Sequence, residues 1–390
     1  MFLKKPKPRV IYLIATAGHP NYGDELITAG WLRELAHTFP DAEVWLDSPR
    51  PGQAAVLFDG IHPGLRCVDT LFHACWNAPT DDPEATIAFG GQVLTNPRLI
   101  PREVSGVRIL ERVDLVHILG GGYLNGIWPH HLALVGAARA IGHRYGSRVA
   151  MTGAGLIPLA EGSGDALGTA LSQFDVVDVR DEASYTAIRT KVPRATLTAD
   201  DALLSLGDTP SRAAHGSAGT MLCIQSDHIE RPLTEIADYV VRTLQAWEAD
   251  TQPVTLVECL PPDDSAVMPL LAAHLPGLQL LPFADLWRSG LPANPGQRWI
   301  STRFHPHLLA AAVGAWGVAV PVSKDYYRTK HESLVKLGSG WALADDLAEP
   351  VQPPTTGISP FGGHLPALRA QKRRVAQQVT ALIRAGRGQP

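Results

Sequence analysis

Residues 299–307 read Trp-Ile-Ser-Thr-Arg-Phe-His-Pro-His and place cationic side chains where an apolar, β-prone segment gives way to a helix. Side chains alternate along an extended chain, so we expect Arg303 and His305 to point to the same side. Pro306 suits the first position of a helix, whose body is predicted over residues 308–313. A guanidinium and an imidazole beside the positive end of a helix suit an anion such as phosphate. Two alternatives stay open: Arg303 pairs with a structural carboxylate, and His305 only caps the helix.

Two acidic residues follow the first predicted strand, which is the apolar run over residues 10–17. Residues 26–39 carry apolar side chains at helical spacing, and residues 42–47 are predicted as the next strand. This order is a βαβ unit, and its loop lacks the GxGxxG fingerprint of dinucleotide-binding proteins. Asp24 and Glu25 stand at the start of the helix. They are either candidates for chemistry or no more than favourable charges at the helix N-terminus.

Three consecutive glycines, Gly120, Gly121 and Gly122, directly follow an apolar strand predicted over residues 113–119. Glycine lets the backbone approach a ligand closely, so we expect the N–H groups of these residues to face one. The alternative is a tight turn without a ligand. The next helix is predicted over residues 129–144, and His131 lies in its first turn.

Arg180 ends another predicted strand, over residues 176–180, and acidic residues open the following helix. This arrangement repeats that of Arg303. Strands and helices alternate through both halves of the chain, which is typical of a doubly wound α/β fold.

The overall composition sets the class of protein. The chain has 390 residues, of which 45% are hydrophobic and 18% charged, enough for two domains with cores of their own. A net charge of −4 gives no support to a nucleic-acid partner. The four cysteines match no zinc pattern, so we predict no metal site and expect small buried side chains. No apolar run reaches about 18 residues, so we predict no transmembrane segment and expect a cytoplasmic protein.

The expected organisation is two doubly wound, Rossmann-like domains that face each other across a cleft. Residues 1–206 form the first domain, residues 207–219 a Gly-, Ala- and Ser-containing linker, and residues 220–350 the second domain. Residues 351–390 form a tail and a helix, for which packing against the first domain is one option. The cationic residues of this helix, such as Lys372, are predicted to form a solvated face.

Five motifs then occur in a fixed order. They are Asn-Tyr-Gly-Asp-Glu-Leu-Ile at 21–27, Gly-Gly-Gly at 120–122, Arg-Asp-Glu-Ala-Ser at 180–184, Ala-Asp-Asp at 199–201 and Ser-Thr-Arg-Phe-His at 301–305. The ordered set resembles the polysaccharide pyruvyl transferase family over about residues 10–337. The resemblance implies a GT-B-like fold and an enzyme that uses phosphoenolpyruvate. Its pyruvyl group would move onto two hydroxyls of a sugar in a cell-envelope polysaccharide or glycolipid, forming a ketal.

The resemblance also implies roles for particular residues. Arg303 and His305 would serve the donor, and Arg180 is linked to the donor as well. Because C3 of phosphoenolpyruvate must be protonated, we predict His305 as the acid. A lysine follows in a Tyr-Asp-Pro-Lys-like run, for which the nearest match is Tyr-Arg-Thr-Lys ending at Lys330; because the Asp-Pro is absent, Lys324 is a rival. His131 is a candidate for a first-domain histidine that contributes in some relatives.

The remaining expectations concern the base, the partners and the rival functions. Asp24 and Glu25 are candidates for the base that deprotonates the sugar hydroxyls. Phosphoenolpyruvate is a substrate, and no cofactor is implied. A peripheral membrane contact stays open, and the sequence indicates no oligomeric state. Two other functions compete: a sugar-nucleotide-dependent glycosyltransferase of the same fold, and a non-catalytic sugar-binding α/β module.

Overall fold

The computed structural model of the protein describes residues 8–206, 219–250, 253–353 and 357–388. These residues form two compact units. The first unit comprises the described residues up to His19, Asp24–Ser205 and those from Arg369 onward, and the second comprises Pro20–Gly23 and those from Leu206 to Leu368. The expected linker, apart from Gly219, lies outside the described residues. The unit boundaries therefore differ from the expected ranges at residues 20–23, 206 and 351–368.

The first unit is built on a parallel sheet that has seven strands within the described residues. The strands are β1 (Val10–Ile14), β2 (Glu43–Asp47), β3 (Leu65–Val68), β4 (Leu115–Ile118), β5 (Arg148–Ala154), β6 (Val176–Val179) and β7 (Thr196–Leu197). They lie in the order β3-β2-β1-β4-β5-β6-β7, and all their pairings are parallel.

Helices follow the strands of this unit. They are α1 (Tyr22–Thr38), α2 (Pro51–Leu57), α3 (Thr70–Cys75), α4 (Pro83–Thr95), α5 (Val104–Leu110), α6 (Leu132–Tyr145), α7 (Ser163–Leu171) and α8 (Glu182–Ile188). Short 3₁₀ helices lie at Pro97–Leu99, Pro101–Glu103, Pro129–His131 and Asp201–Leu204. All residues of β1 and β4 are buried, as expected for parallel strands that helices cover on both faces.

The second unit repeats this plan with a parallel sheet of six described strands. Its strands are β8 (Thr220–Cys223), β9 (Val254–Val257), β10 (Leu278–Leu281), β11 (Arg298–Ser301), β12 (Trp316–Ala319) and β13 (Ala342–Leu343), in the order β10-β9-β8-β11-β12-β13. Its helices are α9 (Leu233–Ala246), α10 (Met268–Ala272), α11 (Phe283–Ser289), α12 (Phe304–Ala312) and α13 (Tyr327–Lys336), with a 3₁₀ helix at Pro360–Gly363. The α/β class with two doubly wound sheets is therefore confirmed.

The strand order of each sheet reverses direction once. The reversal falls between β1 and β4 in the first unit and between β8 and β11 in the second. In open α/β sheets, ligands bind outside the carboxyl ends of the strands at this switch point. Gly120 lies just beyond β4, and Arg303 lies just beyond β11. The topology thus places one predicted motif at the switch point of each unit.

The last helix, α14 (Leu365–Ala385), belongs to the first unit from Arg369 onward. Lys372 on this helix is completely buried, and its Nζ lies 2.7 Å from Asp178 Oδ2 and 2.8 Å from Asp201 Oδ1. The prediction of a solvated face is therefore wrong for Lys372, because two buried carboxylates hold its ammonium. Arg373 is exposed. Among all the helices in the described ranges, none combines the length and the apolar character needed to cross a membrane.

Candidate functional site

The turn that carries Arg303 is set by Ser301, the last residue of β11. The Ser301 hydroxyl accepts a hydrogen bond from the Arg303 N–H at 3.1 Å and donates one to the Arg303 carbonyl at 2.8 Å. The chain turns immediately, and α12 starts at Phe304 with Arg303 as its N-cap. Pro306 is thus the third helical residue. The predictions that Pro306 comes first and that Arg303 and His305 share one side of an extended segment are both wrong.

The Arg303 guanidinium is buried between two carboxylates. Its Nε donates to Asp264 Oδ1 at 2.8 Å, and its Nη2 lies 2.7 Å from the same oxygen. On the other side, Nη2 and Nη1 donate to the two oxygens of Asp227, at 2.5 and 3.2 Å. The pairing with carboxylates that the sequence left open is therefore present. Neither aspartate was identified from the sequence, because both lie in loops after other strands.

Asp264 is the more deeply fixed of the two carboxylates. Its Oδ2 accepts the backbone N–H groups of Cys259 and Leu260, each at 2.9 Å, and lies 3.6 Å from the Cys223 sulfur. Burial raises the pKa of Asp264, and the charge of Arg303 opposes that rise. Cys223 and Cys259 are buried free thiols, in agreement with the expected character of the cysteines.

His305 is half-buried and lies against the start of α1. A Cβ on Gly23 would come within 1.8 Å of His305 Nδ1, so this position requires glycine for the ring to fit. The segment is held in place because the Tyr22 N–H donates to the Cys259 carbonyl at 2.8 Å. The sequence contained the signal for this contact in its Asn-Tyr-Gly motif, but the partner of Gly23 was not predictable from spacing.

Lys330 packs against two tyrosines, and one of them, Tyr327, lies near Arg303. Its buried Nζ is 3.3 Å from the centroid of the Tyr326 ring and 4.8 Å from that of Tyr327. Burial raises the pKa of Tyr327 to about 12, while the nearby charge of Arg303 acts to lower it. The rival Lys324 is exposed, and its N–H donates to Glu230. Of the two lysines, Lys330 is thus the one that approaches the surroundings of Arg303.

Arg180 occupies a comparable position in the first unit, immediately after β6. Its Nη1 donates to Asp200 at 3.2 Å, and its Nε lies 3.6 Å from Asp181, the N-cap of α8. A Cβ on Gly155 would come within 2.5 Å of the Arg180 Nε. The guanidinium is therefore stacked over bare glycine backbone and is almost completely buried.

The glycine triplet does not present its first two N–H groups to a ligand. The Gly120 N–H donates to Asp201 at 3.3 Å, and the Gly121 N–H donates to the Gly153 carbonyl at 3.4 Å. That prediction is therefore wrong for Gly120 and Gly121, because the turn uses these donors itself. Gly121 has φ +139°, which favours glycine, and the Gly122 carbonyl accepts from Asn125 Nδ2 at 2.8 Å.

The two acidic candidates have different surroundings. Glu25 is completely buried and accepts the N–H of Gly18 at 2.7 Å, so its carboxylate fixes the loop before α1. Asp24 is half-buried, accepts from the Thr16 hydroxyl at 3.3 Å and lies beside Gly121. Asp24 is consequently the more accessible of the pair.

His131 is enclosed by aromatic rings at the start of α6. Its Nδ1 lies 2.9 Å from the Tyr123 carbonyl and must donate to it. Burial lowers the pKa of His131 to about 4, although that hydrogen bond acts in the opposite direction. The imidazole is therefore neutral at pH 7 and is not a reservoir of protons there.

Solved structures establish the fold type. S. aureus MnaA in complex with UDP superimposes with a TM-score of 0.51 at 12% identity, covering 96% of this chain and 91% of that one. The UDP-GlcNAc 2-epimerase from Neisseria meningitidis bound to UDP-GlcNAc superimposes with a TM-score of 0.51 at 10% identity, covering 95% and 94%. At these identities the likeness concerns the fold alone, which is GT-B-like as predicted.

Sequence comparison gives the family. No curated protein matches the chain. The family described as polysaccharide pyruvyl transferase matches residues 21–248, which is more than half of the chain. The match includes the motifs around Gly23, the glycine triplet, Arg180 and Asp200, and it ends before Arg303. The order of motifs and this match agree, and the chain belongs to the polysaccharide pyruvyl transferase family.

Proposed function

We propose that the protein transfers the pyruvyl group of phosphoenolpyruvate to two hydroxyls of a sugar and so forms a pyruvate ketal. The acceptor is a saccharide or glycolipid of the cell envelope, and the reaction takes place in the cytoplasm. The observation that carries the proposal is the family match over residues 21–248. The choice of phosphoenolpyruvate as donor and of a ketal as product follows what the resemblance to the family implies, and residues outside that match are chemically suited to it.

The second unit offers cations suited to the donor. Phosphoenolpyruvate carries a phosphate and a carboxylate, and guanidinium groups bind both by charge-assisted hydrogen bonds. Arg303 lies at the switch point of its sheet, where ligands of such folds bind. Lys330 adds a second positive charge near Tyr327, which lies close to Arg303. In this proposal Arg303 is the main contact of the donor, and Lys330 supports it.

The proposed reaction conserves atoms and charge. His305 protonates C3 of phosphoenolpyruvate, which makes C2 electrophilic, and the first sugar hydroxyl attacks C2 and loses its proton to a base. The second hydroxyl then attacks C2, the bond from C2 to the phosphate oxygen breaks, and inorganic phosphate leaves. The proton of one hydroxyl replaces the one that His305 gave to C3, and the other leaves with phosphate. A positioned imidazole is suited to this role because it can both donate and accept a proton.

Other predicted residues keep narrower roles. Asp24 is our candidate for the base because its carboxylate is more accessible than that of Glu25. Arg180 stays a candidate for anion binding, and the Arg180→Ala variant tests this role. His131, Gly120 and Gly121 have structural roles in this proposal, because their polar groups already form hydrogen bonds within the first unit.

A second candidate function is a nucleotide-sugar-dependent glycosyltransferase. The fold is shared with proteins whose structures hold UDP or UDP-GlcNAc. A thermal-shift screen with phosphoenolpyruvate, UDP and UDP-GlcNAc separates the candidates, since a ligand that binds the native state raises its melting temperature. We expect phosphoenolpyruvate to stabilise the protein and the two nucleotides to have no effect. Stabilisation by a nucleotide alone would favour the glycosyltransferase, and no response to any of the three would contradict the proposal.

A further inference from the structure

The two carboxylates that hold Arg303 differ in how firmly they are placed. The Asp264 side chain is 0% exposed, whereas that of Asp227 is 19% exposed. Asp264 receives the Nε side of the guanidinium and two backbone N–H groups. Both of its oxygens are thus occupied, and its position is set by the backbone after β9. Asp264 is therefore held by the backbone of its own loop as well as by Arg303.

Asp227 is held by weaker means. It lies in the irregular segment between β8 and α9, and apart from Arg303 its carboxylate has Gln225 Nε2 at 3.4 Å and His228 Nε2 at 3.9 Å. These are long contacts compared with the 2.9 Å bonds to Asp264. The Asp227 carboxylate is therefore the one that can move while the guanidinium stays in place.

The edge of Arg303 that Asp227 occupies is also the edge that an anion needs. Asp227 bonds to Nη1 and Nη2 together, which is the two-pronged geometry in which arginine binds a carboxylate or a phosphate. The Nε side is already taken by Asp264. By formal charge, Arg303 and its two carboxylates sum to −1, and Lys330 near Tyr327 brings the total to zero, so an anion gains no net attraction while both aspartates stay ionised and paired.

We propose that Asp227 is an internal substitute for the donor: an anionic group of the substrate binds Arg303 by exchange with Asp227, while Asp264 keeps the guanidinium oriented. This inference rests on the proposed function, because the donor is taken to carry a phosphate and a carboxylate. Asp264 acts here as a positioning residue. Asp227 keeps the Nη1 group of the buried guanidinium paired while no donor is bound, and its competition sets the affinity for the donor below what Arg303 with Asp264 alone would provide.

Substitutions that keep side-chain shape test the exchange. Asp227→Asn removes the competing charge, so we expect inorganic phosphate and phosphoenolpyruvate to bind about two- to fivefold tighter, the range for a partly exposed ion pair. Asp264→Asn removes the orienting charge and is expected to weaken phosphate binding about tenfold or more. Asp263→Asn is the matched control, because Asp263 is a neighbouring carboxylate, and its pKa is raised by burial and then by Asp227. Isothermal titration calorimetry at fixed ionic strength measures all four proteins.

The outcomes separate the exchange from general electrostatics. Tightening in Asp227→Asn that clearly exceeds that in Asp263→Asn supports the exchange. Equal tightening in both, no change, or weaker phosphate binding in Asp227→Asn overturns it. A crystal structure of the unsubstituted protein with phosphate gives a second test that needs no variant: Asp227 must have left Arg303, and phosphate bound with both Asp227 bonds intact overturns the proposal.

The same data keep this inference distinct from the proposed function. Phosphate exchange at Asp227 without turnover of phosphoenolpyruvate would overturn the function and leave the exchange standing. Turnover of phosphoenolpyruvate without tighter binding in Asp227→Asn would leave the proposed function standing and overturn the exchange.

Discussion

Arg180 and Arg303 are both strand-end arginines, one in each sheet, yet they are held differently, and only Arg303 lies at the switch point of its sheet. Each follows a parallel strand and stands at the start of a helix. Arg180 contacts the N-cap of its own helix and Asp200, and it lies over the backbone of Gly155. Arg303 is bound by two carboxylates from two other loops. The comparison indicates that a strand-end arginine alone does not define a binding site, and that its partners decide whether an anion can reach it.

The same contrast appears in the sequence evidence. The family match covers Arg180 and ends at residue 248, whereas Arg303, His305 and Lys330 lie beyond it. Likeness to the family thus identifies the chain mainly through its first unit. The proposed donor chemistry depends mainly on the second unit, so the predictions below compare residues of the two.

The largest expected effect is on catalysis and compares two histidines. His305→Gln keeps a hydrogen-bonding side chain of similar size but cannot supply a proton, so we expect turnover to fall about 10²–10⁴-fold. His131→Gln is the matched substitution in the first unit, and turnover per folded molecule should stay within a few-fold of the parent. Activity, donor affinity and melting temperature are measured on the same preparations. Turnover of His305→Gln close to that of the parent would leave the residue as a helix-end side chain only.

The next effect is on stability and concerns Lys372. Lys372→Met leaves Asp178 and Asp201 buried without their shared cation, and breaking such a buried pair costs about 3–5 kcal/mol. Arg373→Met, one residue along α14 and exposed, should change the free energy of unfolding by no more than about 0.5 kcal/mol. Urea unfolding of both variants gives the comparison. Equal stability of the two would show that the Lys372 network contributes little.

A smaller effect is expected on donor binding and tests the two arginines directly. Arg303→Ala removes charge-assisted bonds worth about 1.5–3 kcal/mol, so the Kd for phosphoenolpyruvate should rise about ten- to a hundredfold. Arg303→Lys should restore little, because lysine cannot reproduce a two-pronged contact. Arg180→Ala, assayed in parallel by calorimetry, shows whether the first unit contributes. Unchanged donor affinity in a folded Arg303→Ala protein would remove this residue from the donor site.

The smallest effect is a pH dependence of the first unit. The pKa of His131 is lowered to about 4 from an ordinary value of 6.5, so the unfolded chain binds this proton at a higher pH than the native state does. The free energy of unfolding that comes from burying the neutral ring is therefore fully present above pH 6.5, and it is lost as the pH falls toward 4. Nitrogen NMR of the ring should show no titration between pH 8 and 5. A midpoint near 6.5 would contradict the burial of His131.

The sequence predicted the alternation of strands and helices in both halves of the chain, because buried parallel strands and amphipathic helices leave clear apolar patterns. It placed the starts of α1 and α12 too late. Those starts carry polar residues and are set by local bonds, such as those of Ser301, which periodicity does not record. The strands β3 and β13 and the helices α3, α5 and α11 were not predicted.

The candidate site was predictable only in part. Arg180, Arg303 and His305 were identified from motifs, but the partners of Arg303 lie 39 and 76 residues away in the chain. No spacing rule connects loops of that separation. The burial of Lys372 was missed because a lysine among arginines on a helix is typical of a solvent-facing surface. Its two carboxylate partners are also distant in the chain.

The most direct test is one reaction followed by two readouts. The protein is incubated with phosphoenolpyruvate and a panel of lipid-linked or synthetic glycosides, and mass spectrometry of the glycosides is combined with phosphorus NMR of the released phosphate. We expect a pyruvyl ketal on at least one glycoside and an equal amount of inorganic phosphate, with both lost in His305→Gln. Glycosides that stay unmodified while phosphoenolpyruvate is not consumed, or a sugar transferred from UDP-GlcNAc instead, would contradict it.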